Sequence, residues 1–386
     1  MKTRAGFVLA GLLIFAFEAT PSYGHQTHNA RRATSNFVQL SQAAARAREA
    51  NQDDVAIELY EKALALKPDW QEGLWYLGSL LYEKEQYAGS RDVLRRFVGS
   101  TTETGPSWAL LGMSEFQTRE YARALDHLQR ALALGMGDRK EMIQSVSYFV
   151  AVLLTRFERY DESLNFMFRL IASGQEKDLL VEPLGLAALR FPVLPSEIPA
   201  NRRELVRMAG EAAFTSQTPQ YKDANKIFQA MVSAYPDEPG VHFLYGVYLL
   251  DSNPEEGSRE LKKELEISPS HVPARLRLSA FYLQNQKLDE ALALANEALK
   301  LDSHYPSARM TLGEVLVAKG DVSAGIKELE TARAAQPAVL RVHWDLLRAY
   351  TAAGRAEDAK REKEQIEAIS HSASPSGSEP SRDKAQ

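Results

Sequence analysis

Only a few side chains of this sequence fall in patterns that do chemistry, and each pattern carries a structural demand. GMSEF, from Gly112 to Phe116, begins like the turn that exposes a nucleophilic serine. It lacks the closing glycine and lies inside a helical pattern, where no strand-to-helix turn can form. LGMGDRK, around Gly135, spaces glycines and a lysine as a phosphate cradle would, but no strand precedes it. There is no GxxxxGKS or GxxxxGKT phosphate loop and no HExxH zinc helix. The eight histidines, His25, His28, His127, His242, His271, His304, His343 and His371, show no ligand spacing. His25 alone has a second reading: cleavage after Gly24 would make it the first residue, and an N-terminal amine with an imidazole can chelate copper. A lone histidine on a helical chain does not complete such a site. The carboxylate pairs Asp53-Asp54 and Glu255-Glu256 fall in turns ahead of helical runs, where acidic side chains favour a helix start. No catalytic residue, cofactor site or metal site is expected.

The elements that would have to position any such groups are constrained by composition. Of 386 residues, 45% are apolar and 25% charged, the balance of a folded body, and glycine and proline are too sparse for a fibrous or wholly disordered chain. The net charge is −5, and losing the first 24 residues, with Lys2, Arg4 and Glu18, takes it to −6. Such a chain makes a poor nucleic-acid partner. The absence of cysteine excludes disulfides, thiolate metal sites, thioether-linked haem, a cysteine nucleophile and a lipid-modified cysteine.

The N-terminus reads as a secretory leader over 1–24. Lys2 and Arg4 precede the apolar run Ala5 to Phe17, and Ser22-Tyr23-Gly24 puts small residues at the −3 and −1 positions of a cleavage site. Thirteen residues ended by Glu18 fall short of the roughly 20 that span a bilayer. No other segment is long and apolar enough to cross one, so the mature chain is expected to be exported, to the periplasm or beyond, without a span.

From Phe37 onward a period of 34 residues appears. Each period holds two amphipathic helices, with a small residue near position 8 of the first and small residues at 20 and 27 around the second, and proline often at 32. The clearest copies carry Ala56, Tyr60, Ala63 and Pro68; Leu74, Leu77 and Gly78; and Trp108, Leu111, Gly112, Ala124, Leu128 and Ala131. A five-residue slip, Arg139 to Ile143, precedes a weaker fourth copy from Gln144. The period then fails over 178–204, where one helical run is followed by Pro192, Pro195 and Pro199. It resumes from Leu205 and continues to about Ile369. The expected organisation is a linker over 25–36, about four repeats over 37–177, an irregular connector over 178–204, about five repeats over 205–369, and a polar disordered tail over 370–386. Each helix pair has an apolar face it cannot bury alone, so neighbours must stack.

These spacings resemble the tetratricopeptide-repeat family over about 300 residues. The resemblance implies an all-α, right-handed superhelical solenoid of about nine helix pairs with a proline-containing break in the middle. Its inner surface would bind a protein or peptide and would share no common chemistry with other members. In that geometry positions 2, 5, 9 and 12 of each first helix face an inner groove. Here they bring Trp75, Tyr82, Met113, Phe116 and Tyr148 to one stripe. A second stripe runs through Phe243, Leu250, Leu276, Leu283, Met310, Val317 and Trp344. Aromatic side chains and methionine suit a binding surface, though the first stripe serves equally well as filling between helices. The function these observations favour is a noncatalytic scaffold or adaptor outside the cytoplasm that holds a protein or peptide partner. The alternative is an accessory subunit of an envelope secretion, pilus or outer-membrane assembly machine. An enzyme with an unrecognised site is the third reading.

Overall fold

A computed structural model describes residues 28–99 and 104–373, so the expected leader, His25 and most of the polar tail lie outside the described residues. Among these residues the secondary structure is nineteen α-helices and two short 3-10 turns, with no strand. They divide into two compact units, Met1–Tyr221 and Lys222–Gln386.

In the first unit α1 (His28–Glu49) pairs with α2 (Asp53–Leu66), α3 (Gln71–Glu83) with α4 (Tyr87–Val98), α5 (Gly105–Gln117) with α6 (Tyr121–Leu134), and α7 (Lys140–Arg156) with α8 (Tyr160–Ala172). The small residues explain the pairing. Ala56, Ala63, Ala124 and Ala131 are fully buried at the crossings. A Cβ on Gly112 would stand 2.7 Å from Leu128, so position 8 must be vacant for the leucine at position 24 to fill it. Where serine replaces the small residue, its hydroxyl is satisfied across the crossing. Ser90 Oγ donates to the Gly78 carbonyl at 2.8 Å, and Ser163 Oγ donates to the Ala151 carbonyl at 2.7 Å.

Two expected boundaries are corrected, and the expected slip finds its structural form. Helix α1 begins at His28, inside the segment expected as a linker. The five-residue slip after Arg139 lengthens α7 to 17 residues, adding a turn at its N-terminus without disturbing the pairing. The connector over 178–204 holds α9 (Lys177–Ala188), and its partner is α10 (Arg203–Ser216). The helix expected to open a fifth copy therefore closes a pair begun at Lys177. The two backbones nearly touch: a Cβ on Gly185 would lie 1.9 Å from the Val206 carbonyl oxygen, and one on Gly210 would lie 1.8 Å from that of Val181. Pro192, Pro195 and Pro199 shape the link between them, which buries Leu194 and Ile198.

The second unit opens with α11 (Ala224–Ala234) against α12 (Val241–Leu249). Helix α12 pairs with α13 (Pro254–Ile267), α14 (Val272–Gln284) with α15 (Leu288–Leu301), α16 (Pro306–Ala318) with α17 (Val322–Ala335), and α18 (Leu340–Ala352) with α19 (Ala356–Ala373). Here Gly313 faces Leu329 as Gly112 faces Leu128, and Ser279 Oγ donates to the Ala291 carbonyl at 2.8 Å. The Glu264 carboxylate accepts the Gly240 and Phe243 amides at 2.8 and 3.1 Å, satisfying the start of α12. Helix α19 runs on to Ala373, past the expected start of the tail.

The turn inside seven of the pairs repeats as closely as the crossings do. Asn51, Glu85, Arg119, Glu158, Gln286, Gly320 and Gly354 occupy position 15 of their repeats, all with positive φ, from 55° to 92°. At Arg119 the amide donates to the Phe116 carbonyl and the next amide, of Glu120, to the Glu115 carbonyl, the paired bonds of a left-handed helix end.

Candidate partner-binding site

The residues of the first expected stripe come together, but around a core. Trp75, Tyr82, Phe116 and Tyr148 are half-buried and pack against a single cluster that includes Trp108, Leu128, Phe149 and Leu153. Met113 is 3% exposed and belongs to that cluster, so it is core and not groove. Its burial follows from its neighbours: α5 is covered on one side by α6 and on the others by the pairs before and after it. The rings engage one another, with Phe116 4.7 Å from Phe149, Tyr148 5.7 Å from Phe149 and Trp75 5.6 Å from Phe97. Burial pushes the Tyr148 phenol up to about 12, with Glu182 adding to the rise, and moves the Tyr82 phenol upward as well.

The serine, glycine and carboxylate motifs hold helix ends, turns and crossings. Ser114 Oγ donates to the Leu110 carbonyl at 2.8 Å and lies 3.0 Å from Ser90 Oγ, while Glu115 holds Arg95 and His127. Gly135 and Gly137 supply the positive φ of the turn between α6 and α7. Asp53 and Asp54 begin α2, and Glu255 and Glu256 lie in the first turn of α13. His242 and His343 do one job twice. Each ring bridges a glutamate on the second helix of its own pair, Glu260 or Glu362, and the carbonyl of the proline that closes the preceding repeat, Pro236 or Pro337. His271 caps α14 by accepting the Ala274 amide.

The second stripe divides. Leu276 and Met310 are buried beneath the following repeat. Phe243 and Leu250 are half-buried against Leu261 and Leu278. Leu283 and Val317 line an open cavity of about 380 Å³ formed by α14, α16 and α18. Trp344 is 51% exposed on α18, at the position that Leu276 and Met310 hold in the two preceding repeats. The cavity has two characters. Ala280, Leu283, Val317 and Ala318 make an apolar wall, and Glu314, Arg341, Asp345 and Arg348 make a charged one.

On the charged wall the Arg341 guanidinium forks onto Glu314, with Nη2 to Oε2 at 2.8 Å and Nε to Oε1 at 3.2 Å. Arg348 donates to Asp345 Oδ1 and lies 3.9 Å from Glu314 Oε1. Asp345 Oδ2 meets no donor from the arginines, and the Glu314 carboxyl hydrogen-bonds Asp345 when it is protonated. Burial, reinforced by neighbouring Asp345 and opposed by Arg341, pushes the Glu314 carboxyl up to about 7. Glu314 occupies position 9 of its repeat, and Arg341 and Arg348 occupy positions 2 and 9 of theirs. These are the positions of the apolar stripes, occupied here by charged side chains. Asp345, at position 6, had no such signal.

Residues 41–106, in the first unit, and 282–341, in the second, match family models described as tetratricopeptide repeat. Solved structures similar to the chain include a crystal structure of MamA, 17% identical with a TM-score of 0.36, covering 42% of this chain and 95% of that one. Another is MamA 41-end from Desulfovibrio magneticus RS-1, 16% identical with a TM-score of 0.36, covering 42% and 92%. No curated protein matches the chain. Among the described residues there is no helix long and apolar enough to cross a membrane and no cluster of His, Asp and Glu able to hold a metal ion.

Proposed function

We propose that this chain is a noncatalytic scaffold acting outside the cytoplasm, and that the cavity formed by α14, α16 and α18 is where it holds a protein partner. The observation that carries the reading is an open cavity with an apolar wall on the first helices of three successive repeats, together with an exposed tryptophan on the third of those helices. Large aromatic side chains in such places dominate interface energies. The stripe of the first unit is a weaker candidate, because its rings are committed to core packing.

The paired substitution Leu283→Ala and Trp344→Ala tests this. Both side chains are accessible, so thermal melting should change little. Affinity capture from the native envelope fraction, read by mass spectrometry, should lose the partner that wild type retains, by thirtyfold or more on the order expected for a lost anchor. A folded double variant that keeps its full partner set overturns the reading. Export rests on the N-terminal pattern, and Edman or mass-spectrometric sequencing of the extracytoplasmic protein should return a start at or near His25. A start at Met1, or recovery only from the cytosol, counts against export.

A further inference from the structure

His242 and His343 occupy position 4 of their repeats, where Trp108 stands in the first unit, and both are buried in the same three-way contact. Nδ1 meets Glu260 Oε2 at 2.5 Å in one and Glu362 Oε2 at 2.6 Å in the other, while Nε2 meets the Pro236 carbonyl at 2.8 Å and the Pro337 carbonyl at 2.9 Å. The two histidine and two glutamate side chains are at most 9% exposed. Each bridge spans three elements. His242 joins the end of α11 to α12 and α13, and His343 joins the end of α17 to α18 and α19.

Counting donors fixes the number of protons in each bridge. A carbonyl oxygen only accepts, so Nε2 must donate. A second hydrogen must lie between Nδ1 and the carboxylate, because two lone pairs held at that distance repel. The other oxygen of each glutamate accepts from a cation, Glu260 Oε1 from Lys263 at 3.0 Å and Glu362 Oε1 from Arg333, which favours the ring as the holder of that hydrogen. Each bridge is therefore complete only while it contains one proton more than a neutral imidazole and a carboxylate supply. Other charged groups on the elements packed against α12 and α18 are engaged elsewhere. Glu264 of α13 accepts the Gly240 and Phe243 amides, Lys226 lies by Asp223, and Arg275 of α14 donates to Glu297. Glu314 of α16 holds Arg341, and Glu330 of α17 accepts from Tyr350.

We propose that the two bridges are proton-operated latches of the second unit: closed, each fastens a helix pair to the repeat before it, and loss of the Nδ1 proton releases the pair. The closed bridge binds one proton more than the open one. Its contribution is therefore present at acidic pH and lost as pH rises through the range in which histidine gives up its charge. The His343 latch acts on α18, the helix that carries Trp344, so the seat of that side chain follows the same proton.

The test is residue-resolved hydrogen exchange on the full chain, corrected for intrinsic exchange, together with 15N spectra of the histidine rings. Glu314 faces α18 and changes its charge over the same range, so every chain compared carries Glu314→Gln. At pH 6, His242 and His343 should hold hydrogen on both ring nitrogens. As the pH is raised to 8, Nδ1 should lose its hydrogen while protection of α12–α13 and α18–α19 falls, by up to about tenfold per pH unit for one released proton. Adding Glu362→Gln separates a latch from ordinary packing. The introduced amide donates to a neutral Nδ1 and accepts from Arg333, so that bridge closes without the extra proton. Protection of α18–α19 should then stay level from pH 6 to 8 while that of α12–α13 still falls; adding Glu260→Gln should give the converse. Rings with a single hydrogen at pH 6, protection that stays level while Nδ1 loses its hydrogen, or a Glu362→Gln chain that keeps the pH dependence of α18–α19 overturns the proposal. Should Glu362→Gln unfold α18–α19 at both pH values, Glu260→Gln decides on the other bridge by the same criterion.

Discussion

Glu314 shows how one side chain makes the fold sensitive to pH. Its carboxyl titrates near 7 in the folded protein against a usual value of 4.5. Between those values the folded state keeps a proton that the unfolded chain gives up. Its contribution to stability is therefore complete below about 4.5 and is lost as pH rises through about 7. Glu314→Gln keeps a neutral polar group in place and should gain on wild type as pH rises, by on the order of 1–3 kcal/mol at pH 8. Urea unfolding at pH 5, 6.5 and 8 measures this, and a variant with the wild-type pH slope rules it out. Little of this was legible in the sequence. Glu314 and Arg341 fall at groove positions of the period, but their contact joins two repeats, and residue type alone does not say which charges are buried. Trp75, Tyr82 and Phe116 teach the reverse: their spacing was legible, and their commitment to the core depends on the neighbouring helices that cover them.

At the scale of the element, the legible features are those fixed by steric necessity. Gly112 against Leu128 and Gly313 against Leu329 must be small and large in alternation, so the period shows plainly. The turn at position 15 has just as strict a backbone but hides in the sequence, because five of the seven residues there are not glycine. Hydrogen bonds at the helix end hold an asparagine, two glutamates, an arginine and a glutamine in the left-handed region against their preference. Relief of that strain is measurable: Arg119→Gly should raise unfolding stability by about 0.5–1 kcal/mol, less than the full strain because glycine also loosens the unfolded chain. Chemical denaturation of the exposed-site variant checks this, and a loss of stability would mean the turn is not strained. The α9–α10 pair escaped notice for a different reason. Pro183 and the three prolines after it read as an interruption, yet Gly185 and Gly210 bring two backbones together across it.

For the whole molecule, the principal fact is that within each unit helices contact their own partners and those of adjacent pairs, so damage stays local. Ala124 is fully buried where α5 crosses α6, and Ala124→Glu forces volume and charge into that crossing at a cost of several kcal/mol. Hydrogen exchange should then show lost protection in α5, α6 and the adjoining pairs, while α14 to α19 stay protected. Uniform loss along the chain would make the molecule one cooperative block. The crossings also differ from one another mechanically. Ser90, Ser163 and Ser279 each tie a hydroxyl to the carbonyl of the opposite helix, a bond that survives only at one axial offset. At the α16–α17 crossing the described residues instead bring Gly313 and Gly325 together, which lets the two surfaces lie close. Shear along the helices thus has to unseat a packed side chain where Leu128 or Leu329 fills the space left by a glycine, and where a serine ties the crossing it has to break a hydrogen bond as well: the oxygen is a catch on the slide.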